Sequence, residues 1–171
     1  MRAMIHDLLD FTRVRLGGRL PMTPEPCDLV ELCGHVVDEL RQAHPRRQLT
    51  VRADGRCVGV WDAGRLSQLL SNLVGNAIQH GSADTPVAVT VRCTAQAGVV
   101  SVHNFGPAIP PQRQEAIFDP LSRGEKDRAE YGGSLGLGLY IAREIAEAHS
   151  GTISVHSSDE AGTTFNLSLP R

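Results

Sequence analysis

Asn72 and Asn76 stand one helical turn apart in a segment, Asp62 to Gln79, whose apolar residues Leu66, Leu69, Leu70, Leu73 and Ala77 recur at helical spacing. Beside that stripe runs a polar one: Arg65, Gln68, Asn72, Asn76 and Gln79. Asparagine is a poor helix former because its amide competes for backbone hydrogen bonds, so two of them beside a buried stripe suit a polar task at a half-buried place. A carboxamide oxygen is a neutral hard ligand of the kind Mg2+ takes, with water and phosphate oxygens completing its octahedron. A solvent-facing polar face accounts for the same pattern. A second group, His103-Asn104-Phe105-Gly106-Pro107-Ala108-Ile109-Pro110, leaves a strand on which Asn104 shares the face of Val100 and Val102. Its amide can meet the edge of a base, with Gly106 letting a flat ring approach the backbone; a Gly-Pro turn leaving a strand is the plainer account. A third group, Gly132-Gly133-Ser134-Leu135-Gly136-Leu137-Gly138-Leu139, opens a helix, where glycines let N–H groups close on phosphate with the dipole assisting. It has neither a P-loop lysine nor the preceding strand of a dinucleotide fingerprint.

The elements that must position these groups are legible from periodicity. Residues 2–16 read as a helix ended by Gly17-Gly18, and Pro21 to Pro26 as an extended linker. Asp28 caps a second helix, with Glu31 in capping-box position; Leu29, Cys33, Val36 and Leu40 form its buried stripe and Pro45 its end. Strands are predicted at Leu49–Ala53 and Cys57–Trp61, joined as a hairpin through Asp54-Gly55. Asp62 caps the Asn-bearing helix. Val87 to Cys93 and Val99 to Asn104 alternate as a strand pair, and a short helix is expected near Gln112–Phe118. A helix from Leu137 to His149 precedes two last strands, Thr152–His156 and Thr163–Leu169. Strands that come as hairpins rather than alternating with helices predict an α+β fold: a two-layer α/β sandwich, its mixed sheet covered on one face by about three helices, with an N-terminal helical stub.

Composition narrows the partners. Seventeen Lys+Arg against nineteen Asp+Glu leave a formal charge of −2, and four Phe, two Tyr and one Trp make no stacking set, so a nucleic-acid partner is not expected. No apolar run is long enough for a membrane span and no signal peptide opens the chain, which points to the cytoplasm. Cys27, Cys33, Cys57 and Cys93 form no CxxC pair, so zinc is not expected and all four read as reduced, mostly buried thiols. Six of the seventeen Gly and four of the ten Pro fall between Gly106 and Gly138, where some special backbone is needed.

Taken together the groups resemble the motifs of sensor histidine kinases. Asn72 to His80 resembles their N box, His103 to Pro110 the first glycine box, Ile117 to Arg123 the F box, Gly133 to Leu139 the second glycine box, and Gly162-Thr163-Thr164-Phe165 the terminal glycine motif. The chain is thereby identified as a member of the GHKL, or Bergerat, ATPases. The resemblance implies an ATP-binding catalytic domain over 28–171, preceded by the end of the second dimerisation-hairpin helix (1–18) and a linker (19–27). It implies that Asn76 ligates Mg2+ with Asn72 in support and His80 near the phosphates. Asn104 would face adenine, with Gly106 beneath the ring. Residues 119–134 would be a lid whose Arg123 and Lys126 reach the γ-phosphate, and Gly136 and Gly138 would cradle phosphate. Ile109, Leu135, Leu137 and Thr164 complete the nucleotide-contacting set it implies. Asn104 stands where the family usually has Asp, Ala108 where it has Gly, Leu121 where a second Phe is common and Gln79 where Lys is frequent.

Histidine phosphorylation also needs an acceptor histidine on a dimerisation hairpin. His6-Asp7 fits superficially, but the following residues resemble the end of the hairpin's second helix, so His6 reads as a surface residue. The expected partners are the phosphoacceptor hairpin of the same kinase, a homodimer when whole, and a response-regulator receiver domain. Another GHKL ATPase or Ser kinase, or a nucleotide-binding module without catalysis, is the alternative.

Overall fold

The structure, a computed structural model, describes residues 2–120 and 136–171. Five strands form one mixed sheet in the order β2-β4-β5-β7-β6, where β2 is Leu49–Ala53, β4 Val87–Cys93, β5 Ala97–Asn104, β6 Thr152–Ser158 and β7 Gly162–Pro170. The pair β2–β4 is parallel and the remaining pairs are antiparallel. Alternation decides which face is covered: Val89 and Val91, Val100 and Val102, Phe165 and Leu167 are all buried, while their neighbours in sequence are half-exposed or exposed. On that face lie α2 (Leu29–Ala43), α3 (Ala63–His80) and α5 (Gly138–Ala148), with α3 packed against both others. The expected two-layer sandwich is the fold observed. A short helix α4 (Pro111–Gln114) and a 3-10 turn (Ala116–Phe118) replace the single short helix expected there. None of the helices among the described residues is long and apolar enough to cross a membrane.

Two expectations fail in the segment 25–61. Residues Glu25–Asp28 form a strand, β1, and β3 (Val58–Trp61) pairs antiparallel with it rather than with β2. The expected Asp54-Gly55 hairpin therefore does not exist. The cause is Asp28, whose buried carboxylate accepts from Arg56 Nε at 2.9 Å and the Cys57 N–H at 3.1 Å, while the Leu29 N–H donates to Cys57 O. These bonds tie the start of β3 to the start of α2. The ribbon's far end is fastened by Trp61, buried, with its Nε1 donating to Pro170 O at 2.8 Å. Prolines at 24 and 26 are tolerated because β1 is an edge strand. The cysteines depart from expectation as well: Cys57 and Cys93 are disulfide-bonded, while Cys27 and Cys33 are free. Thirty-six residues separate the pair, and no local spacing signals it. Burial pushes the Cys33 thiol up to about 12, so it is inert.

Asp28 also caps α2, accepting from the Val30 N–H at 3.0 Å. Burial raises its pKa, but the hydrogen bonds from Arg56 and from the Cys57 and Val30 N–H groups outweigh it and hold the carboxyl below its usual range. Because the folded pKa is the lower one, ionised Asp28 contributes stability above its unfolded pKa, and that contribution is lost as pH falls through the folded value. Asp28→Asn is therefore expected to flatten the acid limb of stability against pH, read from melting temperatures between neutral and acidic buffers. Unchanged acid sensitivity would show that other carboxylates govern it.

Candidate nucleotide site

The helices α3 and α5 run antiparallel, which carries Asn72 to the start of α5. At one end Asp62 caps α3 by accepting from the Arg65 N–H at 2.9 Å, and its own N–H donates to Nε2 of His149 just past α5. At the other, Asn72 Nδ2 donates to Gly138 O at 3.0 Å. A side chain on Gly138 would point at the Asn72 amide, its Cβ 3.4 Å from Cγ. Asn76, one turn further, is half-buried, and its side chain makes no hydrogen bond with another described residue. Gly136 holds φ +69°, open to glycine at no steric cost, and α5 begins without a side-chain cap. Its first N–H groups thus face the Asn-bearing end of α3, an arrangement suited to an anion. Leu137 itself is a core residue, 3% exposed.

The other wall is the end of β5. Asn104 is buried, 4% exposed, on the covered face, and its Nδ2 reaches Phe105 O at 3.3 Å. The glycine at 106 has a reason internal to the fold: a Cβ there would stand 2.7 Å from His80 O, so the loop after β5 packs directly on the end of α3. The loop is then pinned to β6 and β7. Ile109 N–H donates to Ser157 Oγ at 2.9 Å, Ser157 Oγ meets Thr163 Oγ1 at 2.7 Å, and Gln114 Nε2 donates to Ile109 O at 3.0 Å. Register decides between the two threonines of the terminal motif. Thr163 pairs with Asn104 and shares its buried face, whereas Thr164 pairs with His103 on the opposite face. The structure thus leaves Thr164 away from the other predicted residues and sets Thr163 beside Asn104.

The polar stripe of α3 divides by function. Its first part holds α1 (Arg2–Arg15). Arg65 Nη1 donates to Asp10 Oδ2 at 2.6 Å, in an ion pair whose side chains are 14% and 6% exposed, and Gln68 Nε2 donates to Asp7 and Asp10. Phe11 meets Tyr140 of α5 edge-on at 5.7 Å. Burial raises the Asp7 pKa, offset in part by the Gln68 bond. Losing one partner of such a pair strands a charge at a cost of about 3–5 kcal/mol, and the helix it holds already exposes Ile5, Leu8 and Leu9. Arg65→Ala is expected to release α1 while 28–171 stays folded. Hydrogen exchange should then accelerate in 2–20 alone; equal protection in variant and parent would refute the tie.

Phe118 stands just before the segment expected to be the lid, packed edge-on against Phe165 with ring centroids 6.1 Å apart. Asp119 lies 3.6 Å from Arg143 Nη2 of α5. Arg123, Lys126, Leu135 and the run Gly132-Gly133-Ser134 lie outside the described residues.

A sequence profile described as "Histidine kinase-, DNA gyrase B-, and HSP90-like ATPase" matches residues 61–171. The chain belongs to this family. Within it the resemblance is to sensor kinases. The bacteriophytochrome of Pseudomonas aeruginosa is 32% identical over 170 residues, covering 99% of this chain and 23% of that protein. The probable sensor histidine kinase TcrY of Mycobacterium tuberculosis is 33% identical, covering 98% of this chain and 35% of that one. The chain therefore spans about a quarter to a third of these relatives. Among solved structures, the catalytic domain of histidine kinase ThkA superposes with a TM-score of 0.74 at 31% identity, covering 87% of this chain and 96% of that one. Full-length ShkA in complex with AMPPNP gives 0.83 at 25% identity, over 98% of this chain and 35% of that one.

In this histidine-kinase-type ATPase domain, the structure sets Asn72 against Gly138, Gly106 against His80, and Asn104 beside Gly81 just past α3, while Leu137 goes to the core. Thr163, Ser157 and Gln114, which the sequence did not single out, join the wall formed by the loop after β5. Thr163 carries half a signal: alternation back from Leu167 and Phe165 puts it on the covered face, while its place opposite Asn104 comes from the pairing with β5. Ser157 and Gln114 carry no such signal, because their partners arrive from distant segments.

Proposed function

We propose that this domain binds ATP with Mg2+ and delivers the γ-phosphate to a histidine of a dimerisation hairpin not contained in residues 28–171, for onward transfer to a response-regulator receiver domain. The whole kinase would be a homodimer with this domain in the cytoplasm; residues 1–18 would end the hairpin's second helix and 19–27 would link it. The single observation that carries the reading is the Asn72–Gly138 bond, which fastens a carboxamide-bearing helix to the uncapped start of α5. Phosphates would lie against the N–H groups at Gly136 and Gly138, while Asn104 and Thr163 receive the base. The donor set fits Mg2+: Asn76 offers a half-buried carboxamide oxygen with no competing bond to a described residue, and this ion takes few protein ligands. Bound there, it would neutralise charge on the β- and γ-phosphates. Asn72 would orient the helix start, His80 would stand near the phosphates, and Arg123 with Lys126 would reach the γ-phosphate from the lid. In the transfer the bond from γ-phosphorus to its bridging oxygen breaks, a bond to imidazole nitrogen forms and ADP leaves. The imidazole proton passes to a base beside the acceptor, outside this chain.

Labelled ATP supplied with a separate acceptor hairpin tests this: acid-labile phosphate is expected on the hairpin and none on the chain alone. His6 is exposed on α1, so labelling of the chain alone that vanishes in His6→Ala would reverse the assignment of the acceptor.

A further inference from the structure

Arg47 lies between α2 and β2, and its guanidinium reaches beneath the base end of the site. Nη1 donates to Ser82 O at 2.7 Å, while Nε and Nη2 are buried and have no acceptor among the described residues. Nη2 and the Asn104 Cβ each lie 3.1 Å from the point where a Cβ on Gly81 would stand. A cation is thus stationed under the residue set against the base, and none of the ion pairs among the described residues neutralises it. Burial weakens screening, so the potential above it is positive. The residue over it is an amide rather than a carboxylate.

That combination bears on which purine fits. A carboxylate only accepts, which suits the exocyclic amine of adenine and opposes the 6-carbonyl of guanine. An amide turned one way accepts from an amine, and turned the other way donates to a carbonyl while its oxygen faces the neighbouring ring N–H. The bond from Asn104 Nδ2 to Phe105 O, at 3.3 Å, is long and restrains that turn little. Resting on the nucleotide-site reading above, we infer that Asn104 over Arg47 admits a 6-oxo purine triphosphate beside ATP. Arg47 is a positioning residue: its enclosed nitrogens cannot touch the base, and its charge favours the carbonyl-bearing edge.

Calorimetric titration of the chain with ATP and with GTP, each with Mg2+, tests this. GTP is expected to bind within about tenfold of ATP. Asn104→Asp, equal in size but acceptor-only, is expected to weaken GTP relative to ATP by about tenfold or more, the effect of setting a carbonyl against a carboxylate. Arg47→Met is expected to move the ratio the same way by about threefold. If that variant fails to fold, Asn104→Asp carries the test by itself. ATP binding with GTP about a hundredfold weaker, or a ratio unmoved by Asn104→Asp, overturns the inference and leaves the ATP site standing. Binding of neither nucleotide overturns both.

Discussion

Asn76→Ala is expected to cut phosphoryl transfer to a supplied acceptor hairpin by about a hundredfold or more while leaving the domain as stable as its parent, or slightly more so. The two halves of that outcome come from one residue's chemistry. Asn76 lies inside α3, where alanine is the better helix former by about half a kcal/mol, and its side chain has no hydrogen bond with a described residue to lose. A polar side chain that is half-buried, helix-weakening and without a hydrogen bond to any described residue adds little to the fold, which is why the proposed ligand role predicts lost transfer without lost stability. Neighbouring Asn72 differs: its bond to Gly138 O means that Asn72→Ala removes a structural tie between α3 and α5 as well. Transfer rates over a Mg2+ series, set beside thermal melts, read the result. Transfer within about threefold of the parent would remove Asn76 from the metal site.

Phe165→Ala is expected to destabilise the domain by about 3–5 kcal/mol, a large part of the roughly 5–15 kcal/mol that holds a domain together. Phe165 is wholly buried on β7, opposite Val102 of β5 and Val155 of β6, so its removal opens a cavity under the middle of the sheet. It also takes away the ring against which Phe118 packs edge-on. Phe118 precedes the expected lid, so the loss reaches the site as well as the core. Phe118→Ala, at the edge of the same contact, should cost less, because α4 and the 3-10 turn can settle inward. Urea midpoints compared at equal slope give both values; a loss under about 1 kcal/mol for Phe165→Ala would mean that the core closes around the gap.

The placing of several candidate site residues could be read without coordinates because they sit on elements with strong local codes. The cap at Asp62 and the apolar stripe through Leu66, Leu69 and Leu73 orient α3, and that orientation places Asn72 and Asn76 at its flank. Strand alternation from Val100 puts Asn104 on the covered face. These are short-range consequences of helical and strand geometry, and they hold whatever else the chain does.

What escaped depends on contacts between segments far apart in the chain. Asp54-Gly55 has the chemistry of a hairpin turn, yet β3 goes to β1 because Asp28 offers Arg56 and the Cys57 N–H a buried acceptor. Arg65 and Gln68 belong to the same polar stripe as Asn72, yet they bind α1, because the docked helix brings Asp7 and Asp10 against them. Thr163 rather than Thr164 accompanies Asn104 because pairing with β5 settles which face each presents. Periodicity states which side of an element is buried; it does not state what arrives to bury it. The amide of Asn104, the helix bearing Asn76 and the glycines at the start of α5 were therefore legible one by one, while the contact of Asn72 with Gly138 and the setting of Asn104 beside the end of α3 came from packing.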